Sequence, residues 1–137
     1  MKVLYTAEAT ATGGRNGKVV SSDNVLNLEV RMPKALGGGG GDYTNPEQLF
    51  AAGYSACFDS ALNMIARTQK IAITSTVTAE VSIGSLENGG FGLEATLRVK
   101  VEGVDNETAK KLVEAAHQVC PYSNATRNNM NVTLIVE

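Results

Sequence analysis

The chain has no tryptophan, one histidine, two cysteines and three prolines. Aromatic residues make up 5% of it and charged residues 19%. Each scarcity excludes something. The formal net charge is −2 and lysines and arginines form no run, so the clustered basic surface of a nucleic-acid binder is missing. No apolar stretch approaches the roughly 20 residues that a membrane helix needs. One histidine and two widely separated cysteines are too thin a set for the usual zinc sites, so no metal is expected. The opening stretch MKVLYTAEATATGG lacks the apolar block and small-residue cleavage site of a signal peptide, and a cytoplasmic location is expected. Thiols there stay reduced by default. Cys57 and Cys120 are then either unrelated core residues or a dithiol that cycles.

What is present suits one domain spanning residues 1–137. The chain has 137 residues, 43% of them hydrophobic, enough to enclose a core. Met1 to Thr12 alternates as a strand does, with Val3, Tyr5, Ala7 and Ala9 on one side. Asn16-Gly17 reads as a two-residue hairpin turn, with Arg15 immediately before it. Short strands are expected near Lys18–Ser21 and Leu26–Arg31. The glycine run Gly37–Gly41 is a loop, and without a following Lys-Ser/Thr it is no phosphate-binding loop. Asn45 as cap and Pro46 at the first position open a long helix running to about Gln69. Its low charge makes it central rather than peripheral, with Glu47, Tyr54, Cys57, Ala61 and Met64 near one stripe. Residues 74–86 and 91–103 alternate as a hairpin around Glu87-Asn88-Gly89-Gly90. A second amphipathic helix follows, capped by Asp105 or Asn106, with Leu112, Val113, Ala116 and Val119 on its apolar face. Pro121 stops it and can start a further turn. NVTLIVE closes as a strand. The order of elements is that of an α+β fold in which antiparallel strands cover helices.

Five residues could carry chemistry. A cysteine on an apolar helix, as Cys57 is, often only fills space. Cys120 precedes a proline at a helix junction, where unsatisfied N–H groups favour a thiolate. A reactive cysteine also needs a positive neighbour, and an arginine needs a carboxylate to hold its fork. Arg15 and Glu47 supply those types. Glu47 stands ten residues before Cys57 on a similar helix face, roughly 15 Å away along the axis, so Arg15 has to reach in from another segment. Arg15 can equally be a solvated turn residue, and Glu47 a helix-start residue. His117 is the one histidine, so any cysteine–histidine catalysis must use it; a half-exposed helix position accounts for it as well. Asp59, a charge inside the apolar helix, has no place in the pattern.

The segments NPEQLFAAGYSACF and VCPYSNATRNN resemble the two cysteine motifs of the organic hydroperoxide resistance proteins. That family shares a wider group with the osmotically inducible peroxidases. YTAEATATGGRNGKV resembles its N-terminal arginine segment, and PKALGGGGGDYTNPEQLF its loop before the central helix. The resemblance implies that Cys57 is the peroxidatic cysteine and Cys120 the resolving one. It implies that Arg15 stabilises the Cys57 thiolate and positions the peroxide, while Glu47 orients Arg15. It implies antiparallel sheets wrapped around long central helices in an intertwined homodimer. It also implies that no cofactor is bound and that an external dithiol, a lipoyl group carried on a protein, reduces the oxidised cysteines. Phe50, Tyr54, Phe58 and Met64 could line a site for an alkyl or fatty-acid hydroperoxide, or simply fill the core. Three alternatives stay open: a non-catalytic thiol redox sensor or binding module, a hydrolase built on Cys57 and His117, and a related peroxidase preferring hydrogen peroxide.

Overall fold

A computed structural model describes residues 1–137. The chain divides into two compact units, Met1–Leu49 and Phe50–Glu137.

The first unit holds a three-stranded antiparallel sheet of β1 (Ala9–Thr12), β2 (Gly17–Ser21) and β3 (Asn27–Val30). The expected strand from Met1 is shortened to its last four residues. Its partner β2 ends at Ser21, where the chain turns through Asn24 at φ 63°, so no strand stands opposite residues 1–7. Val3, Leu4 and Tyr5 are consequently exposed, at 64%, 90% and 81%. The hairpin turn also differs from expectation. Positive φ falls on Gly13 (80°) and Gly14 (58°), and a 3-10 turn over Gly14–Asn16 carries Arg15. Gly17 is already in β2, where a side chain would strike the carbonyl of Thr12. The long helix α1 (Pro46–Thr68) starts as read, at Pro46, with the Asn45 side chain accepting from the Gln48 N–H at 2.8 Å.

In the second unit α1 (Pro46–Thr68) runs on to Thr68. It is followed by β4 (Thr74–Ser85), β5 (Phe91–Glu102), α2 (Asn106–Val119), α3 (Pro121–Thr126) and β6 (Val132–Val136). β4 and β5 pair antiparallel over all twelve residues, closed by a turn with Gly89 at φ 88°. β6 corrects the all-antiparallel expectation: it pairs with β5 in parallel, from Ala95↔Val132 to Val99↔Val136. The connection through α2 and α3 brings the chain back to the same end of the sheet before β6 begins, as parallel pairing demands. One face of β5, carrying Ala95, Leu97, Val99 and Val101, packs on α1 and α2. α1 contributes Tyr54, Phe58, Ala61, Leu62 and Ala66, and α2 contributes Ala109, Leu112, Val113 and Ala116. Fully burying a side chain such as Leu97 or Phe58 is worth about 2 kcal/mol. Two expected apolar-face residues fall outside this core: Val119 is 40% exposed and Met64 46%. No helix is long and apolar enough to cross a membrane.

Candidate active site

In the first unit, Arg15 and Glu47 meet across 32 positions of sequence. Arg15 Nη1 donates to Glu47 Oε2 at 2.8 Å, and Nη2 to Oε1 at 2.6 Å. This is the two-pronged geometry that gives an arginine a fixed plane as well as attraction. The 3-10 turn presents the guanidinium, and the first turn of α1 presents the carboxylate. Hydrogen bonding to Arg15 holds the Glu47 carboxyl below the usual carboxylate range, against a smaller opposing effect of burial. The turn itself is pinned from β3's end, where Arg31 Nη1 donates to the Gly17 carbonyl at 2.9 Å.

In the second unit, Cys57 and Cys120 are both free thiols and approach to 3.8 Å. Cys57 sits midway along α1 and is half-buried. Cys120 is fully buried in the one-residue gap between α2 and α3. It ends the first helix, its N–H bonded to the Ala116 carbonyl, and caps the second, with Pro121 at the first helical position. Burial pushes the Cys57 thiol above its ordinary value; a hydrogen bond from the Tyr122 backbone works the other way, and Cys120 adds to the rise. Left to these neighbours alone, Cys57 is a thiol rather than a thiolate at neutral pH.

The four apolar candidates separate. Tyr54 and Phe58 are wholly enclosed in the core, and Met64 is exposed. Phe50 borders a cavity of about 590 Å³ that also takes in Leu86, Phe91, Leu93 and Met130. Phe50 meets both Tyr54 and Tyr122 edge-on, with centroids 6.2 and 5.9 Å away. His117 is engaged elsewhere than at Cys57: its Nδ1 lies 2.9 Å from Ser123 Oγ. Burial lowers its pKa, helped by Arg127 and opposed by Glu114. No group of three or more histidine, cysteine or acidic side chains gathers where a metal ion could be held.

Asp59 acquires a place. Its Oδ1 accepts from Ser75 Oγ at 2.5 Å and from Asn63 Nδ2 at 3.2 Å, and Asn63 Nδ2 also lies 2.9 Å from Ser75 Oγ. These three side chains stitch α1 to the start of β4. The residues that sequence reasoning missed are Tyr122, Ser123 and Thr126. Their signal was present, since two hydroxyls three positions apart after a helix-starting proline point along one face.

Residues 39–135 match the family described as OsmC-like protein. The chain belongs to that family, in its organic hydroperoxide resistance branch. A relative from Xanthomonas axonopodis pv. citri (strain 306), an organic hydroperoxide resistance protein, is 54% identical over 134 residues, covering 97% of this chain and 94% of its own. The crystal structure of an organic hydroperoxide resistance protein from Elizabethkingia anophelis superposes with a TM-score of 0.96 at 62% identity, covering 100% of this chain and 99% of its own. That of OhrB from Bacillus subtilis gives 0.91 at 47% identity, covering 98% of this chain and 100% of its own. Within the OsmC-like family, a half-buried and a buried cysteine in contact, together with a rigidly held arginine, are the parts to be explained.

Proposed function

We propose that this chain is a cysteine-based peroxidase that reduces organic hydroperoxides, alkyl and fatty-acid ones among them, to alcohols. The observation that carries the reading is the approach of Cys57 and Cys120 to 3.8 Å, both reduced, in a member of the organic hydroperoxide resistance branch. Cys57 is the attacking residue. Its thiolate takes one oxygen of the hydroperoxide, the O–O bond breaks, and the alkoxide leaves as an alcohol after gaining a proton. The product is the Cys57 sulfenic acid. Cys120 then attacks that sulfur, water departs, and the disulfide closes. The two sulfurs have only to draw together to about 2 Å, the length of the bond. An external dithiol, a lipoyl group carried by a protein, reduces the disulfide by exchange and becomes a disulfide itself. No bound cofactor takes part.

Arg15 meets a need that the neighbours of Cys57 leave unmet. Burial raises that thiol, and a cation is the ordinary means of lowering one. In this reading Arg15 stabilises the Cys57 thiolate and positions the peroxide, with Glu47 fixing the plane of the guanidinium. The whole chain, residues 1–137, then works as one domain. It works as an intertwined homodimer, which accounts for apolar side chains left bare in one copy: Val3, Leu4, Tyr5, Met64 and Phe91 are all between 46% and 90% exposed. A reductant of this kind places the protein in the cytoplasm.

A thiol titration tests the reading. Reduced protein is mixed with one equivalent of cumene hydroperoxide, and thiols are counted before and after. Loss of both, with a Cys57–Cys120 crosslink in the peptide map and repeated turnover once dithiol is supplied, is the expected result. A single oxidation without turnover makes the protein a redox sensor instead, and equal turnover by Cys57→Ser removes Cys57 from the chemistry. Comparison of kcat/KM for fatty-acid, cumene and hydrogen peroxides decides the substrate.

A further inference from the structure

Behind Cys120 runs a chain of hydrogen bonds that the chemistry above leaves unused. Tyr54 Oη lies 2.9 Å from Ser123 Oγ and 3.2 Å from Thr126 Oγ1. Ser123 Oγ lies 2.9 Å from His117 Nδ1. Thr126 Oγ1 also bonds to the Ser123 carbonyl at 3.2 Å. Each hydroxyl has one proton to give, and a carbonyl only accepts. The Thr126 proton is therefore committed to the Ser123 carbonyl. Thr126 must accept from Tyr54, Tyr54 from Ser123, and Ser123 from His117. The chain has one direction, and it requires a proton on Nδ1 of His117.

Its location gives it a task. α3 is six residues long, too short to keep its own place, so tertiary contacts must position it. His117 and Ser123 flank Cys120 at three residues on either side. The Tyr54 ring stacks on Tyr122, two residues beyond Cys120 on α3, with centroids 5.6 Å apart. Tyr54 and Ser123 are completely buried and Thr126 is 3% exposed, so none of these bonds is exchanged with water at no cost. Arg127 closes the arrangement, its Nη2 donating to the His117 carbonyl at 2.5 Å.

We propose that Tyr54, Ser123 and His117 are positioning residues for disulfide closure: they hold α3, and with it Cys120, against Cys57. This rests on the peroxidase reading and deepens it. Two fates compete for the Cys57 sulfenic acid. Attack by the Cys120 thiol forms the disulfide and releases water. Reaction with a second hydroperoxide forms the sulfinic acid and an alcohol, which ends the cycle. The chain acts on the first fate alone, because peroxide attack on Cys57 precedes any need for Cys120.

The test uses the full-length protein with tert-butyl hydroperoxide, following loss of the Cys57 thiol by stopped flow and the sulfenic, disulfide and sulfinic forms by mass spectrometry after quenching. Tyr54→Phe keeps the ring and removes the hydroxyl. It is expected to leave thiol loss within about twofold of wild type while slowing disulfide closure roughly tenfold, with sulfinic acid appearing at correspondingly lower peroxide. His117→Asn, which can present an N–H at the same place, is expected to close near the wild-type rate, and His117→Leu to close slowly. Closure at the wild-type rate in both Tyr54→Phe and His117→Leu overturns the proposal. So does slowing of attack and closure by the same factor, which marks a general loss of structure. Wild-type protein that forms neither sulfenic acid nor disulfide overturns the peroxidase reading itself.

Discussion

The two units of this chain hold two pairs of polar groups in opposite ways. In Met1–Leu49, Arg15 and Glu47 are both charged, keep contact with water and are locked by two short hydrogen bonds. In Phe50–Glu137, the polar side chains next to Cys120 in sequence are uncharged hydroxyls, buried on Ser123 and Thr126, and a part-buried imidazole on His117. Charge is cheap to keep where water remains and costly where it does not. A guanidinium placed permanently in the thiol core would itself need a buried counter-charge. Each pair therefore sits where its charge state costs least: the ions in a turn that keeps contact with water, the thiols in a core. The surroundings of Cys57 alone favour the stored form.

That contrast can be broken by substitution. The largest effect is expected for Cys57→Ser, which lowers peroxide turnover to the uncatalysed rate in a coupled assay with dithiol while leaving Tm near wild type. Arg15→Ala comes next. If the cation is what converts the stored thiol, the rate of thiol loss with peroxide falls by about a hundredfold or more, the scale seen when one preorganised charge-stabilising donor is removed. Its thermal stability changes little, as partly exposed ion pairs contribute little. An Arg15→Ala protein that reacts at the wild-type rate would show that the two units need no division of labour.

Glu47→Gln sharpens the comparison with a smaller effect, roughly tenfold on the same rate, because the fork loses its counter-charge but keeps a hydrogen-bond acceptor. It also carries a pH signature. Arg15 holds Glu47 below the ordinary glutamate value of 4.5. A carboxylate depressed by folding contributes stability that is fully present above that ordinary value and is lost as pH falls through the lower folded value. Urea denaturation between pH 5 and pH 3 should therefore show a loss of stability in wild type that Glu47→Gln lacks in part. The smallest effect on activity is expected for Asp59→Ala. It leaves the hydroxyl of Ser75 without its carboxylate acceptor, whereas the Asn63 amide keeps the Asp59 carbonyl and Ser75 Oγ, costing about 1–2 kcal/mol in urea denaturation while peroxide turnover stays within about twofold.

Local rules made much of this architecture legible. Asn45 and Pro46 announced α1, the pair Asp105-Asn106 announced α2 with Asp105 proving to be the cap, and Pro121 announced both the end of α2 and the start of α3. Long alternating runs announced the twelve-residue hairpin. Non-local choices were not legible. The alternation of VTLIV is the same whether its neighbour runs parallel or antiparallel, so the direction of β6 was decided by where α2 and α3 deliver the chain. Residues 1–7 alternate like a strand, yet strand structure needs a partner and β2 stops short. Tyr54 read as an apolar helix residue because its hydroxyl partners lie 69 and 72 positions away. Asp59 read as a misplaced charge for the same reason, Ser75 being 16 positions on. The roles expected of Cys57, Cys120, Arg15 and Glu47 came from resemblance; the residues alone favoured packing for Cys57, a solvated turn for Arg15 and a helix start for Glu47.

Gly53 carries a consequence for anyone seeking to toughen this protein. A glycine within a helix is the usual first target for replacement by alanine, worth about 1 kcal/mol in helix propensity. Here a methyl group at residue 53 would collide with the hydroxyl of Tyr122. That ring stacks on Tyr54 and meets Phe50 edge-on, so a shift of it disturbs both contacts. The room that residue 53 leaves empty is thus room that Tyr122 uses, and heat resistance sought there would be bought at the expense of the aromatic contacts between α1 and α3.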